Sequence, residues 1–413
     1  MIGAYGTGAR PVIDGAGNDA AVRLNNTSYV TVESLEIKNG RTYGLLATSS
    51  LAGTVNGLTL RDLDVHDVTG GAMTQKYTGL VVVTPGVKGS KFNGVLIDGV
   101  QAHNTTLWSG IMVYGIYLTG DHRWEATAQD VTKRSSNIII RNSIVHDTYG
   151  DGIVAYCASN VLLERNLVYR SGMEATQTIG TPNAIWTWAS NDVVVQDNEA
   201  FDNHSPGVDG GGFDIDYWST NTVVQYNYAH DNQAYGVGIF AAENKPTVNS
   251  IVRYNIFANN GTKRVGDGAE EIYLATWNKG KLDGVQIYNN IIYSTGRGAV
   301  GTMGNAKPAF TTKPVSFMNN LVVSTAPNVT GSGMTQVPFL RDYNLYFYTL
   351  GNVAGTEAHS LYNRDPRING FGYHAAGFPT TQWTLAADSP AIDRGAVIAG
   401  APTTDFFGRP TPL

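Results

Sequence analysis

The chain has 413 residues, of which 48 are glycine, 42% are hydrophobic and only 15% are charged; with its supply of Asn, Thr, Val, Ile and Tyr this argues against helical bundles and for short strands joined by turns. A formal net charge of −6 and a pI of 5.7 leave no broad positive field for a polyanion, so nucleic acid is not expected as a partner and a uniformly acidic polysaccharide is disfavoured, although a local basic groove stays compatible with the total. The single cysteine, Cys157, excludes an intramolecular disulfide framework and no Cys/His cluster has zinc-site spacing, so stability has to come from packing.

The opening Met1-Ile2-Gly3-Ala4-Tyr5-Gly6 reads as a strand running into a turn, with neither the charged nor the apolar region of a signal peptide. No apolar run reaches the roughly 18 to 20 residues of a membrane span. The expectation is a chain that begins in mid-pattern, has lost an upstream targeting or capping segment, and works as a secreted or periplasmic monomer.

From Ser28 onward one unit recurs: a short apolar strand, a polar corner with Asn, a second short strand, a polar turn and a third strand led by Gly. The corner marks the register at Arg141-Asn142, Arg165-Asn166, Asp197-Asn198, Tyr226-Asn227, Tyr254-Asn255, Asn289-Asn290 and Asn319-Asn320; Arg61-Asp62 and Asp98-Gly99 fit it less well. Spacings of 24 to 35 residues suit one turn of a parallel β-coil with variable loops at one corner. Asn tolerates left-handed backbone and bonds both to the turn and to the next amide, so these residues are expected to stack as a structural ladder.

Over roughly residues 28–325 this pattern resembles the right-handed parallel β-helix proteins, the pectate-lyase-like group of secreted polysaccharide lyases, glycoside hydrolases and epimerases. The resemblance implies an all-β, single-stranded right-handed parallel β-helix over residues 1–330, with final rungs and a C-terminal capping segment over 331–413. The tail, with Ser389-Pro390-Ala391-Ile392-Asp393-Arg394-Gly395 and Asp405-Phe406-Phe407-Gly408-Arg409-Pro410, is similar to the closing segment of secreted members and is expected to cover the open end of the coil, where an exposed strand edge invites aggregation.

The Gly-led third strands can be laid over one another from Gly152, Asn183, Gly212, Gly236 and Glu271. Their second and fourth positions are apolar in every row, which places the third, fifth and seventh outside. The predicted outward residues are Val154, Tyr156 and Ala158; Ile185, Thr187 and Ala189; Asp214, Asp216 and Trp218; Gly238, Phe240 and Ala242; and Tyr273, Ala275 and Trp277. Phe213, Ile215 and Tyr217 then point inward. Aromatic rings stack on the apolar faces of sugars, so Trp218, Trp277, Tyr156 and Tyr273 are candidate substrate-binding residues, and ordinary strand packing under loops explains the aromatics equally well.

Asp214 and Asp216 share one face about 6.6 Å apart along the strand. Retaining glycosidases hold their two carboxyls about 5 to 5.5 Å apart and inverting ones about 6.5 to 9.5 Å, so this pair leans towards inversion. Two carboxylates so close also repel, which raises one pKa and supplies a protonated acid. Asp209, in the loop leading into the strand, is a candidate third acid; Glu243, Glu270 and Glu271 are candidate partners. His66, His103 and His146 repeat at a polar turn and read as structure. His230 stands where other rungs carry Tyr169, Phe201 and Tyr293, so it reads as a stacked histidine first and as a substrate-binding residue second.

The preferred expectation is a glycoside hydrolase cleaving a polysaccharide or oligosaccharide with the Asp pair and no cofactor. The first alternative is a polysaccharide lyase, with calcium held by Asp209, Asp214 and Asp216 and a loop-borne base such as Lys245, Arg253, Lys263 or Arg264. The second is a non-catalytic glycan-binding or surface-structural β-helix.

Overall fold

A computed structural model describes residues 1–71, 76–117, 130–173, 182–263, 268–303, 313–331, 333 and 339–411. The chain divides into two compact units, residues 1–194 with 203–207 and residues 195–202 with 208–413. In each unit, short strands build three parallel sheets, and a strand's neighbour is its counterpart one turn of chain later. Apolar residues at alternate positions drive this: in the first unit Val32, Leu60, Ile97, Ile140 and Leu163 stand in one register column and are all fully buried. Each such side chain removed from water contributes about 1.5–3 kcal/mol.

In the second unit the first sheet holds Thr220–Gln225, Ile251–Arg253, Gln286–Tyr288, Ser316–Met318 and Leu340–Asp342. The second runs from Glu199–Phe201 and Tyr228–His230 to Leu361–Tyr362, so rungs continue beyond residue 331. The third, which carries the candidate site, holds Phe213–Ile215, Val237–Ala241, Ile272–Thr276 and Val300–Thr302.

The asparagine ladder lies at the corner between first and second sheets. The backbone N–H groups of Asn198, Asn227, Asn255, Asn290 and Asn320 each donate to the Oδ1 of the next asparagine, ending on Asn344, at 2.9–3.1 Å. Each amide Nδ2 from Asn227 to Asn320 donates to a main-chain carbonyl of an earlier rung, as Asn255 does to Val224 at 2.9 Å. The buried corner is thereby satisfied from both sides. Two details differ from the sequence reading. The left-handed residue is the one before the ladder asparagine (Tyr226, Tyr254, Asn289, Asn319 and Tyr343 have φ of 53° to 57°), because its N–H must turn to the carbonyl of the next rung. Asn142 occupies that exposed left-handed position, together with Ser34, Asp62, Gly99 and Arg165 of the first unit, and bonds Asp98 and Arg165 instead of joining a ladder.

The C-terminal segment does not lie only across the end of the coil. Ile368, Trp383, Phe406 and Phe407 pack along the flank on Tyr228, Ile256, Ala258, Tyr293 and Val323. Tyr226 and Tyr254 hydroxyls donate to the carbonyls of Thr404 and Pro402, and Asn319 exchanges two hydrogen bonds with Ala396. Corner side chains that point out of the ladder supply the anchor points, and the segment covers apolar surface over several rungs.

Asn255→Ala should destabilise the protein by at least about 2 kcal/mol, since each buried polar group left unpaired costs about 1–3 kcal/mol, whereas Asn142→Ala at the exposed corner should cost less than about 1 kcal/mol. Urea unfolding followed by circular dichroism measures both.

Candidate active site

On the third sheet of the second unit, Phe213 and Ile215 point into the coil and are fully buried, and Asp214 points out with 4% of its surface exposed. Its neighbours across the sheet, in register, are Gly238, Tyr273 and Gly301. The alternation that places Asp214 outside ends at Ile215. The Tyr217 N–H donates to Asp216 Oδ1 at 2.7 Å and Trp218 takes φ of +73°, so Asp216, Tyr217 and Trp218 form an exit turn and not a continued strand. Tyr217 accordingly lies outside, half-buried against the cluster of Tyr235, Phe240 and Tyr273, and not in the interior as its parity suggested.

Tyr235 organises this face, and it was not singled out in the sequence. Its ring lies over Gly211 and Gly238, where added Cβ atoms would come within 2.3 and 2.7 Å of it, so both positions need glycine for the ring to settle there. It stacks on Tyr273 at 5.9 Å. Its hydroxyl donates to Asp209 Oδ1 at 2.7 Å, while Lys263 Nζ donates to the Asp209 carbonyl at 3.1 Å. Since Gly238 is the register partner of Asp214, Tyr235 holds the Asp209 carboxyl on the face that carries Asp214. Burial pulls the Lys263 ammonium pKa down and Asp209 opposes the shift.

Exit turns of three successive rungs gather the other candidates. Lys245 Nζ stands 5.5 Å from the Trp218 ring and 6.0 Å from Tyr217. Trp277, 37% exposed, packs edge-on against Tyr217 at 6.0 Å and Phe240 at 5.5 Å. Glu243 is exposed in the Ala242–Lys245 turn. Glu270 points its carboxyl over Gly301 with Arg297 3.6 Å away, which sets it one rung beyond Tyr273.

Other candidates fall elsewhere. Tyr273 is nearly buried and gives one ring face to Tyr235. Tyr156 belongs to the first unit, where it is nearly buried and stacks on Trp188 at 4.5 Å. The strand over it is shifted by one residue from the sequence alignment: Ile153 pairs with Ile185, so Trp186 and Trp188 share the outward columns of Val154 and Tyr156, and Ile185 and Thr187 are interior. His230 lies on the second sheet, 1% exposed, stacked between Phe201 and Tyr228, with Nε2 3.2 Å from Glu199 and Nδ1 2.8 Å from Asp231. It is covered by the C-terminal segment, whose Gly377 N–H donates to Glu199, and is removed from the third-sheet face. Glu271 is fully buried, closing a shorter ladder from Asn232 through Asn260, whose Nδ2 donates to it at 2.7 Å. His66, His103 and His146 stack at 5.1 and 4.9 Å as a structural column. Arg253 serves Gln225, Tyr288 and the Gly400 carbonyl, and Arg264 lies outside the described residues. Among the described residues no three His, Cys, Asp or Glu side chains come together as metal ligands.

A family model for the right-handed β-helix region matches residues 13–172 and 93–292, and the chain belongs to that family. It is 25% identical to the lacto-N-biosidase of Bifidobacterium longum subsp. longum over 383 aligned residues covering 65% of this chain and 23% of that protein, so it spans about a quarter of that curated relative's length. The native crystal structure of the GH136 lacto-N-biosidase from Eubacterium ramulus is similar in fold, with a TM-score of 0.54 at 19% identity over 75% of this chain and 56% of that one. Its selenomethionine derivative gives 0.52 at 20% over 76% and 57%. No helix among the described residues is long and apolar enough to cross a membrane.

Burial pushes the Glu271 pKa up to about 8 from an ordinary 4.5. The folded state therefore keeps a proton that the unfolded chain releases above about pH 4.5, and the associated stability is lost as pH rises towards 8. His230 acts in the same direction: burial lowers its pKa, but the hydrogen bonds with Asp231 and Glu199 prevail and raise it, so its contribution also fades as pH rises through the folded value. Urea midpoints should fall between about pH 5 and pH 8, and Glu271→Gln should flatten that fall.

Proposed function

We propose that this chain is a glycoside hydrolase acting on an oligosaccharide or polysaccharide bound over the third sheet of the second unit. The observation that carries the reading is the Tyr235 hydroxyl holding Asp209 on the face of Asp214, beside an exit turn that supplies Asp216 and the Trp218 indole. Similarity to a lacto-N-biosidase supports glycan chemistry.

Hydrolysis needs one carboxyl that carries a proton to the leaving oxygen and one ionised carboxylate that acts on water or on the anomeric carbon. Burial favours the neutral carboxyl and an N–H donor the ionised one. Asp214 is therefore assigned the acid and Asp216, half-exposed and accepting the Tyr217 N–H, the carboxylate. Asp209, bonded by Tyr235 and still half-exposed, is the third member and the substitute for Asp214 if substrate meets it first. Trp277 and Trp218 supply ring faces for the sugar.

Lyase chemistry is the second reading, favoured by Lys245 in the exit turn, where burial lowers the ammonium pKa and Glu243 opposes the shift.

Asp209→Asn, Asp214→Asn and Asp216→Asn should be assayed for reducing-end release on a glycan panel. Asp214→Asn and Asp216→Asn are expected to lose at least about 10²-fold in kcat with unchanged circular dichroism. Full activity in Asp214→Asn with loss in Asp209→Asn would move the acid to Asp209. Product absorbing in the ultraviolet as an unsaturated uronate, abolished by Lys245→Met, would replace hydrolase by lyase. Binding without turnover across the panel would leave a glycan-binding protein.

A further inference from the structure

The chain is acidic as a whole, yet the exit edge of the third sheet in the second unit is not. Lys245, Lys279 and Lys281 stand there in two successive exit turns together with Glu243, and Asp216 lies in the turn one rung before, so cations outnumber carboxylates along this edge. Lys279 and Lys281 are exposed and Lys245 is half-exposed. In a molecule of net charge −6 this is a local reversal of sign. It coincides with the most open aromatic surface of the face, since Trp277 is 37% exposed and its two aromatic neighbours, Tyr217 and Phe240, meet it edge-on, leaving ring surface uncovered.

The cation and the indole are fixed relative to each other by backbone. Ala242 and Lys245 exchange two main-chain hydrogen bonds of 3.1 and 2.9 Å, closing the turn on which the lysine sits, and the Trp277 N–H donates to the carbonyl of Ala241 next to that turn at 3.0 Å. Both side chains flank one ring: Lys245 Nζ is 6.0 Å from the centroid of Tyr217 on one approach, and Trp277 lies 6.0 Å from it on another. The Lys245 ammonium itself lies over the Trp218 and Tyr217 rings, so it is held close to the aromatic wall and is less hydrated than a free surface lysine, consistent with its lowered pKa. A cation held in this way gives up less side-chain entropy on binding an anion than a freely rotating one.

We propose that Lys245 and Trp277 form a subsite for a sugar residue that bears an anionic substituent, a carboxylate or a sulfate ester, with the ring stacking on Trp277 and the charge directed to Lys245. This rests on the reading of the face as a glycan site and specifies which glycan it prefers: an oligosaccharide with a single charged residue, in keeping with a rim of a few cations on an acidic protein. Lys279 and Lys281 contribute attraction at longer range, which salt screens.

The test is a titration by calorimetry of matched probes that differ in charge: sialyllactose against its methyl ester, and sulfated lactose against lactose. At low salt the intact chain should bind the charged member of at least one pair about five- to tenfold more tightly, the magnitude of an exposed ion pair aided by like-signed neighbours, and the arm with the larger ratio names the substituent. The preference should shrink in about 0.5 M salt. Lys245→Met should bring the charged probe to within about twofold of its neutral partner and leave the neutral probe unchanged, whereas Trp277→Ala should weaken both members alike. Equal binding within both pairs, absence of binding in both, or a charge preference that survives Lys245→Met overturns the proposal. Because binding is read apart from turnover, a charge preference with no hydrolysis would keep this subsite and reject the hydrolase, and hydrolysis without charge preference would do the reverse.

Discussion

The second unit depends on a main-chain N–H at a tight corner having to find an acceptor in a dry interior. The parallel sheets satisfy the strands, but at each corner the chain turns away from its neighbour and strands the next donor. Asparagine solves this with one side chain that accepts from the rung before and donates to a carbonyl, so the ladder Asn198 to Asn344 fixes each rung over the last. Once the corner is fixed, strand parity is fixed, because a slip of one residue would send every inward side chain out. The placement of Asp214 on the outside is thus set by hydrogen bonds at a corner remote from it along the rung.

That constraint also explains what was legible. The repeat, the parallel coil and the interior positions could be read because one polar residue returns among apolar alternation. Asp214, Phe240, Tyr273 and Trp277 followed from it. Where the local pattern was degenerate the reading slipped: Ala184 and Ile185 are both acceptable inside, and only the observed pairing of Ile153 with Ile185 reveals Trp186 and Trp188 as the outward residues. Asn142 carried the right residue type one position too early, at a corner whose left-handed backbone tolerates Asn, Asp, Gly, Arg and Tyr alike.

The misplacement of Tyr217 has another cause. Alternation predicts direction only while the chain stays extended, and the strand ends at Ile215. Nothing in Phe213-Asp214-Ile215-Asp216-Tyr217 announces that end; the turn is decided by the Asp216–Tyr217 hydrogen bond and the left-handed Trp218. Tyr235 was missed because its role depends on glycines at 211 and 238, one before it and one after, whose missing side chains make room for a ring. Such an absence becomes a signal only when the rungs are in register. His230 was readable as a stacked residue from its column, but not its cover, since Gly377 and His374 reach its partners Glu199 and Asp231 from far along the chain.

The proposed location of the chemistry follows from the same pairing of donors and acceptors. Inside the coil the ladder asparagines are committed to register, and a buried carboxyl such as Glu271 is tied to Asn260 and holds its proton up to about pH 8. The residues proposed to act on a ligand stand where the ladder makes no demand: Asp214 on an outward strand position, Asp209 in the loop that leads into that strand, and Asp216, Lys245 and Trp277 in exit turns. Exit turns also vary in length and composition without disturbing the rungs beneath them, since they add no strand and move no ladder residue. On the proposed reading, the rigid part of the molecule sets where a glycan would lie, and the turns of successive rungs, stacked at one edge, set which glycan it would be.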